Sequence, residues 1–443
     1  MYWKRLDRNL KVRLVGEGLF NICYWMYFPF IALYFSMTLG SEVAGAFMML
    51  PPLVSMIGNL ASGNLADHFG RRPILIGGAA IQTVMFVFFA CSFSPWLDYA
   101  AFIGIALGSA LYRAPSLAMV ADVVPEEERR DVFALFATTN NMGAVVGPVM
   151  GAFLFFQFRQ ILLWTTASVL LLYLLCLILF VNETKPTSTH EKQVSVIAGV
   201  KHACVAYRHI LGDRVFARFI IAGVFSVMTI MQLDLYLAYY IVTEIPDQRF
   251  LFFELGSMLL TGETILGWML ALNGLLFVML VFPLANWTKR WKERDLFVFS
   301  CLLSGIGMFA LGFVSTIWSL LLLTVVFTVG ELLRAPISDS FVSRYAPMES
   351  GAMYIGASNL QYTVGRMLAP LTILFATWVA PLGIFFFMLV CSLASAALYT
   401  NLFRIISQNK VDDRRIKQKN VHPFRKGCTF LFGLCLFAAL DKK

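Results

Sequence analysis

Runs of apolar residues about twenty long, separated by short polar stretches, occupy most of this chain. A helix of roughly twenty residues crosses the ~30 Å hydrocarbon layer of a bilayer. Inside lipid each spanning segment must also satisfy its own backbone N–H and C=O groups, which a helix does. The chain is therefore expected to be an all-α integral membrane protein. Composition agrees: 59% of the 443 residues are hydrophobic and 14% are charged, against about 25% charged in a soluble domain. The runs fall near 14–39, 43–64, 74–93, 98–120, 133–156, 161–181, 215–241, 265–285, 296–315, 317–338, 352–376 and 380–404, which predicts twelve transmembrane helices. The polar, basic start from Met1 to Arg13 and the length of the first run are unlike a cleaved signal peptide, so the first helix is expected to stay.

Twelve spans place both termini on one side, and Lys and Arg gather in short cytoplasmic loops. One set of loops carries Lys4 to Arg13, Arg71 and Arg72, Arg129 and Arg130, Lys185 to Arg214, Lys289 to Arg294, Arg344 and the basic tail from Arg404. The opposite set has little beyond Arg159 and Arg249, and Glu244, Asp247, Glu254 and Glu263 make one of its loops acidic. Both termini are thus predicted to be cytoplasmic, in a multi-pass protein of the cytoplasmic membrane. The net charge of +9 lies in alternate loops, which fits membrane lipid and argues against nucleic acid. The eight cysteines sit mostly inside apolar runs without CxxC spacing, so no disulfide framework and no metal site is expected.

The longest polar interruption before the tail, Asn182 to Asp213, reads as a cytoplasmic linker. It divides the chain into a six-helix bundle over 1–181, the linker 182–213, a second bundle over 214–404 and a basic tail over 405–443, to which no function is attached. Arg113-Ala114-Pro115 recurs as Arg334-Ala335-Pro336, and Pro125 and Pro148 recur as Pro347 and Pro370, at nearly one offset. Such a series marks an internal repeat. Parallel six-helix repeats with a site between them near the midplane are a design of secondary transporters.

Between spans two and three the chain reads Gly63-Asn64-Leu65-Ala66-Asp67-His68-Phe69-Gly70-Arg71-Arg72-Pro73. Asp67 is placed to attract Arg71, giving a clasp at the cytoplasmic helix ends. This segment resembles the GxLaDrxGrkx signature of the major facilitator superfamily, which implies the fold of two pseudo-symmetric six-helix bundles. The resemblance assigns the clasp a gating role together with an acid at the end of span four, here Asp122. The second half holds a degenerate echo, Leu284-Ala285-Asn286 with Lys289 and Arg290, Asn286 standing where Asp67 would be. In span five Gly143, Gly147, Pro148 and Gly151 resemble the GxxxGPxxG motif of drug-exporting members. Small residues at that spacing also let helices touch, and the proline bends the span.

Ionisable groups at membrane depth are costly and face a cavity or a partner. Asp234 in span seven and Glu331 in span ten are the two acids so placed. Burial makes a carboxyl group hold its proton more tightly, the property a proton-coupled carrier needs. The structural alternatives are an ion pair of Glu331 with Arg334, and an Asp234 bonded to Gln232 or a tyrosine. At these sites the chain resembles the drug/proton antiporter branch of the superfamily, and in particular a lactococcal multidrug/proton antiporter, up to about residue 405. That resemblance implies proton coupling, gating or cationic-drug recognition for Asp67, Asp122, Asp234 and Glu331. Phe136 stands where that relative has a further acid. Glu17, one turn from Arg13, either forms a snorkelled pair with it or supplies the missing acid to the cavity. Arg113 either pairs with Asp122 or binds an anionic group, and Arg334 is its counterpart in the second half. Tyr24, Tyr236 and Tyr240 are candidate cavity walls for apolar cations.

The leading expectation is a proton-driven exporter of small amphiphilic, often cationic, drugs, acting as a monomer, needing no cofactor and conferring antibiotic resistance. No GxxxxGK[ST] loop is present to use ATP. A carrier for one metabolite, sugar or lipid-linked glycan is the alternative, and a non-transporting receptor a further one. An enzyme is disfavoured: there is no HExxH or GxSxG, and His68, His190, His202, His209 and His422 all fall in loops or near the cytoplasmic surface.

Overall fold

The computed structural model describes residues 7–184, 212–252, 256–346 and 351–408. Among them ten helices are long and apolar enough to cross a membrane: Arg8–Leu39, Ser41–Phe69, Arg71–Cys91, Pro95–Val123, Gln157–Phe180, Arg214–Glu244, Gly262–Val281, Glu293–Leu311, Ile317–Tyr345 and Pro381–Gln408. They correspond to spans one to four, six to ten and twelve. The other two expected spans are helical but are not separate straight rods. Span five runs into span six within Glu126–Phe180, a stretch of 55 residues that bends at Phe158 (φ −130°, ψ 31°). A straight helix of that length would reach about 80 Å, so a single crossing is excluded. Span eleven is three short helices, Gly351–Ser358, Leu360–Leu368 and Leu371–Phe375, with Pro370 at the second break. Most of the expected linker and nearly all of the tail lie outside the described residues.

The architecture is not wholly helical. An antiparallel hairpin, Gln248–Phe252 with Gly256–Leu260, fills the acidic loop after span seven, with Phe250 opposite Met258. Gln248 fixes it to the neighbouring loop by donating to the Ser315 carbonyl at 2.6 Å and accepting from the Ile317 amide at 2.9 Å.

Helix starts follow local chemistry. Asp7, Ser94, Asp213 and Thr261 each accept an N–H from the first turn that follows, leaving fewer orphan donors. Gly70 ends span two with φ +104°, a conformation costly for a side chain, and the chain reverses there into span three.

The buried apolar residues show how the bundles meet. One cluster contains Phe30, Phe35, Phe86 and Tyr99 of the first bundle together with Leu237, Ile241, Leu266 and Phe385 of the second. These all lie toward the end opposite Asp67 and Arg71. At the clasp end the cores are separate: Phe216, Phe297, Phe341 and Tyr399 pack within the second bundle, and Leu75, Met119, Tyr173 and Leu177 within the first. The halves are joined at the far end, where Thr377 donates to Glu42 at 3.0 Å. Near that end of the first bundle, Asp98, 1% exposed, pairs with Arg159 at 2.8 Å, and the guanidinium lies 3.7 Å above the Tyr34 ring.

The internal repeat is visible in the helices. Span four (Pro95–Val123) and span ten (Ile317–Tyr345) have 29 residues each and begin 222 positions apart. Spans three and nine start at Arg71 and Glu293, separated by the same 222.

Candidate functional site

Of the ten membrane-length helices among the described residues, span seven is the most enclosed, with 72% of its apolar window buried, and it is interrupted. Its first helix ends at Ile230, a tight turn covers Met231–Leu233, and a second helix starts at Tyr236. Gln232 holds the break: its amide donates to the carbonyls of Met228 (2.8 Å) and Ala369 (3.2 Å), and its oxygen accepts from Thr372 (2.7 Å). Gln232 is therefore committed to span eleven, and the alternative of a bond between Gln232 and Asp234 does not form.

Asp234 follows directly and lines a cavity of about 650 Å³ between the bundles. Tyr24 and Phe28 of span one, Arg113 of span four, and Tyr362 and Arg366 of span eleven share its wall, with Met56 and Met231 adding flexible apolar surface. Among the described residues no hydrogen bond or ion pair within 4 Å reaches the Asp234 carboxylate. The cation acting on it electrostatically is Arg366, whose charge is also felt by Tyr24. An acid on a cavity wall with a guanidinium in electrostatic reach and no fixed donor can exchange partners, and a proton or a cationic cargo can take the arginine's place.

Glu331 lies outside the cavity wall. Asn273 of span eight donates to it at 3.3 Å and to Thr328 at 3.0 Å, and the charges of Asp234 and Arg334 act on it. The alternative of a Glu331–Arg334 ion pair is not formed among the described residues. Arg334, 2% exposed, instead donates to Gln361 at 2.6 Å and to the Tyr362 hydroxyl at 3.4 Å, tying span ten to span eleven. Its repeat counterpart Arg113 is exposed on the cavity wall and does not pair with Asp122. The two arginines stand one residue out of register in the paired helices, which turns them to different faces, and their roles differ: one is a bolt and one a wall.

Glu17 does not line the cavity. It accepts from Tyr112 (2.7 Å), Ser116 (2.8 Å) and Arg13 (3.5 Å), and Tyr112 meets Tyr173 at 2.5 Å. Arg13 is 0% exposed and donates to the Ser116 carbonyl at 2.6 Å. The pair is thus buried between spans one, four and six, not snorkelled. Tyr236 and Tyr240 also leave the cavity and pack on Phe385, with ring centroids 5.5 Å and 5.0 Å away. Tyr24 is the one of the three proposed tyrosines on the wall.

Gly143, Gly147 and Gly151 face span one, where a Cβ would strike Asn21, Trp25 and Met26 respectively. With Pro148 inside the same helix, the motif is the surface on which spans one and five touch. The clasp is formed: Arg71 pairs with Asp67 and, at 3.4 Å, with Asp122. Arg72 donates to the Ile178 carbonyl at 2.7 Å. Gly63 lies in span two with open space beside it.

Sequence reasoning missed Arg366. The rule that singled out Asp234 and Glu331 applies equally to this lone basic residue within the run 352–376.

The family model for the Major Facilitator Superfamily matches residues 14–262 and 249–440. The chain belongs to the Major Facilitator Superfamily. A Na+, Li+, K+/H+ antiporter from Planococcus maritimus is 39% identical over 385 residues, covering 85% of this chain and 91% of that one. A multidrug resistance protein, MdtH from Photorhabdus laumondii, is 25% identical, covering 78% and 80%. A POT family transporter solved in complex with 5-aminolevulinic acid superposes with a TM-score of 0.71 at 17% identity, over 91% of this chain and 97% of that one. That likeness concerns the fold alone. As a member of this superfamily the chain is a multi-pass secondary transporter, a carrier and not an enzyme.

Proposed function

We propose that this transporter is a proton-coupled antiporter that exports amphiphilic cations, drugs among them, and so confers antibiotic resistance. Asp234 is the group that proton and cargo share. The observation that carries the reading is the unpaired Asp234 carboxylate at a helix break on the wall of the central cavity. Discontinuous helices at the repeat interface are where transporters hold ions and substrates. Aromatic rings and methionines around it suit apolar cations. Glu331 is a second, inner proton site within electrostatic reach of Asp234, and Arg366 compensates Asp234 between arrivals.

In this reading twelve spans form the bundles 1–181 and 214–404 around the linker 182–213. The chain is a monomer in the cytoplasmic membrane with both termini and the tail 405–443 in the cytoplasm. Joined far ends and separate clasp-end cores then correspond to an inward-facing state.

A second reading, exchange of alkali metal cations for protons, is favoured by the 39% identical relative. Everted vesicles carrying a pH gradient separate the two. Ethidium or Hoechst dye dissipating the gradient supports the first, and Na+, Li+ or K+ alone doing so supports the second. Vesicles in which neither dissipates the gradient, or dye efflux from cells that survives a protonophore, contradict proton-coupled cation export.

A further inference from the structure

Span eight ends at Trp287, a tight turn covers Thr288–Arg290, and span nine begins at Glu293. The connecting sequence, Trp287-Thr288-Lys289-Arg290-Trp291-Lys292-Glu293-Arg294, carries four basic residues in eight. Arg294 is neutralised by Asp295 at 2.8 Å, and Glu293 by Arg344 of span ten. Lys289, Arg290 and Lys292 are exposed, and among the described residues no hydrogen bond or ion pair engages their side chains.

The matching loop of the first half uses its cations inside the protein. Spans three and nine start 222 positions apart, so Lys289 stands where Asp67 does. In the first half Arg71 pairs with Asp67 and Asp122, and Arg72 donates to the Ile178 carbonyl at 2.7 Å. A lysine at 289 supplies no such acid, and the second-half cations stay uncompensated at the surface.

The turn that carries them is fixed. Thr288 is buried, its hydroxyl donates to the Leu284 carbonyl at 2.7 Å, and its carbonyl accepts the Trp291 amide at 2.9 Å. This geometry brings the Trp287 and Trp291 rings to 5.2 Å, although the residues are 63% and 39% exposed. Trp291 also lies 5.9 Å from Phe299 of span nine. Phe299 and Ile306 are both exposed and lie seven residues apart on one helical face, so that face meets lipid. Exposed tryptophans at the end of a membrane span sit at headgroup level, the ring in hydrocarbon and the N–H toward water. The three free cations therefore stand at the depth of the lipid phosphates.

We infer that the turn from Trp287 to Lys292 is a docking site for an anionic phospholipid: Lys289, Arg290 and Lys292 bind the headgroup phosphate, and the two indole rings flank the glycerol and upper acyl chain. Three uncompensated like charges repel one another. An anionic headgroup relieves that repulsion, whereas a zwitterionic one brings a cation of its own. The site is separate from the cavity and does not depend on which cation the carrier exports.

The test uses the full chain in mild detergent and native mass spectrometry with added phosphatidylglycerol, phosphatidylcholine or sodium phosphate. The parent should retain phosphatidylglycerol in preference to phosphatidylcholine. A variant combining Lys289→Gln, Arg290→Gln and Lys292→Gln should weaken phosphatidylglycerol retention at least tenfold, since each basic residue at a membrane surface contributes roughly fivefold. Its phosphatidylcholine retention and its Tm should match the parent. Lys289→Arg with Lys292→Arg should keep the parent affinity, and Trp287→Ala with Trp291→Ala should weaken it severalfold. Arg8→Gln with Arg214→Gln and Arg404→Gln removes three exposed cations elsewhere at the same end and should leave it unchanged. Equal losses in the two triple variants would place the effect in the general positive charge of that end and overturn the proposal. So would full retention in the first triple variant, or displacement of the lipid by phosphate, which would make the turn a site for the free ion.

Discussion

Gly45 of span two lies against the main chain of Leu374 in span eleven, with no space between them for a Cβ. This contact and the Thr377–Glu42 hydrogen bond close the far end of the two bundles. Backbone this close tolerates no added volume without movement. Gly45→Leu should therefore wedge the far end open. Labels at Ser94 and Thr316, on the loops at that end, should move apart relative to the parent, and an unchanged separation would show that the contact does not hold the gate.

Arg366 shares the cavity wall with Asp234 and supplies the positive charge that acts on it. Arg366→Gln leaves that carboxylate without its compensating charge, so cation-driven proton release should fall severalfold. Arg366→Lys should retain most of the parent rate. An unchanged rate in Arg366→Gln would mean that another group compensates Asp234.

Arg334 and Arg113 should separate stability from transport. Gln361→Leu removes the principal acceptor of a fully buried guanidinium, which costs about 1–3 kcal/mol and should appear as a lower Tm in detergent. Arg113→Gln alters an exposed cavity side chain and should change stability by less than about 0.5 kcal/mol while impairing exchange. Equal Tm losses in the two would contradict the assignment of bolt and wall.

Glu17→Gln leaves Arg13 buried without its charge partner. Breaking a buried pair on one side costs about 3–5 kcal/mol. Because Glu17 stands off the cavity, the pH profile of the surviving protein should match the parent. A shifted profile would instead make Glu17 a coupling acid.

Asp122 was reached only through the family resemblance, while ten span positions, the repeat, the Asp67–Arg71 pair and the placing of Asp234 inside an apolar run were legible in the sequence. Each rests on a signal that a linear reading carries: hydrophobic length, constant offset, motif spacing, or a charge inside an apolar run. Partners were legible only where they were local. Arg71 finds Asp67 four residues away, but Arg334 passes over Glu331, three residues away, for Gln361 on another helix. Tyr236 and Tyr240 share a sequence cluster, yet Phe385 draws both into the core at the far end. The bend at Phe158 and the breaks in span eleven were hidden for the same reason, since tertiary packing sets where a long apolar run turns. Arg366 was within reach and was missed because basic residues in that run were not weighed as the acids were.

The central claim is that Asp234 couples proton flow to cation export. It is tested most directly in proteoliposomes with an imposed pH gradient, by comparing gradient-driven ethidium and alkali-cation movement in the parent, Asp234→Asn and Glu331→Gln. The account predicts uphill movement in the parent, loss of the gradient response in Asp234→Asn, and a weakened response in Glu331→Gln. Full gradient-driven transport in both variants would contradict it.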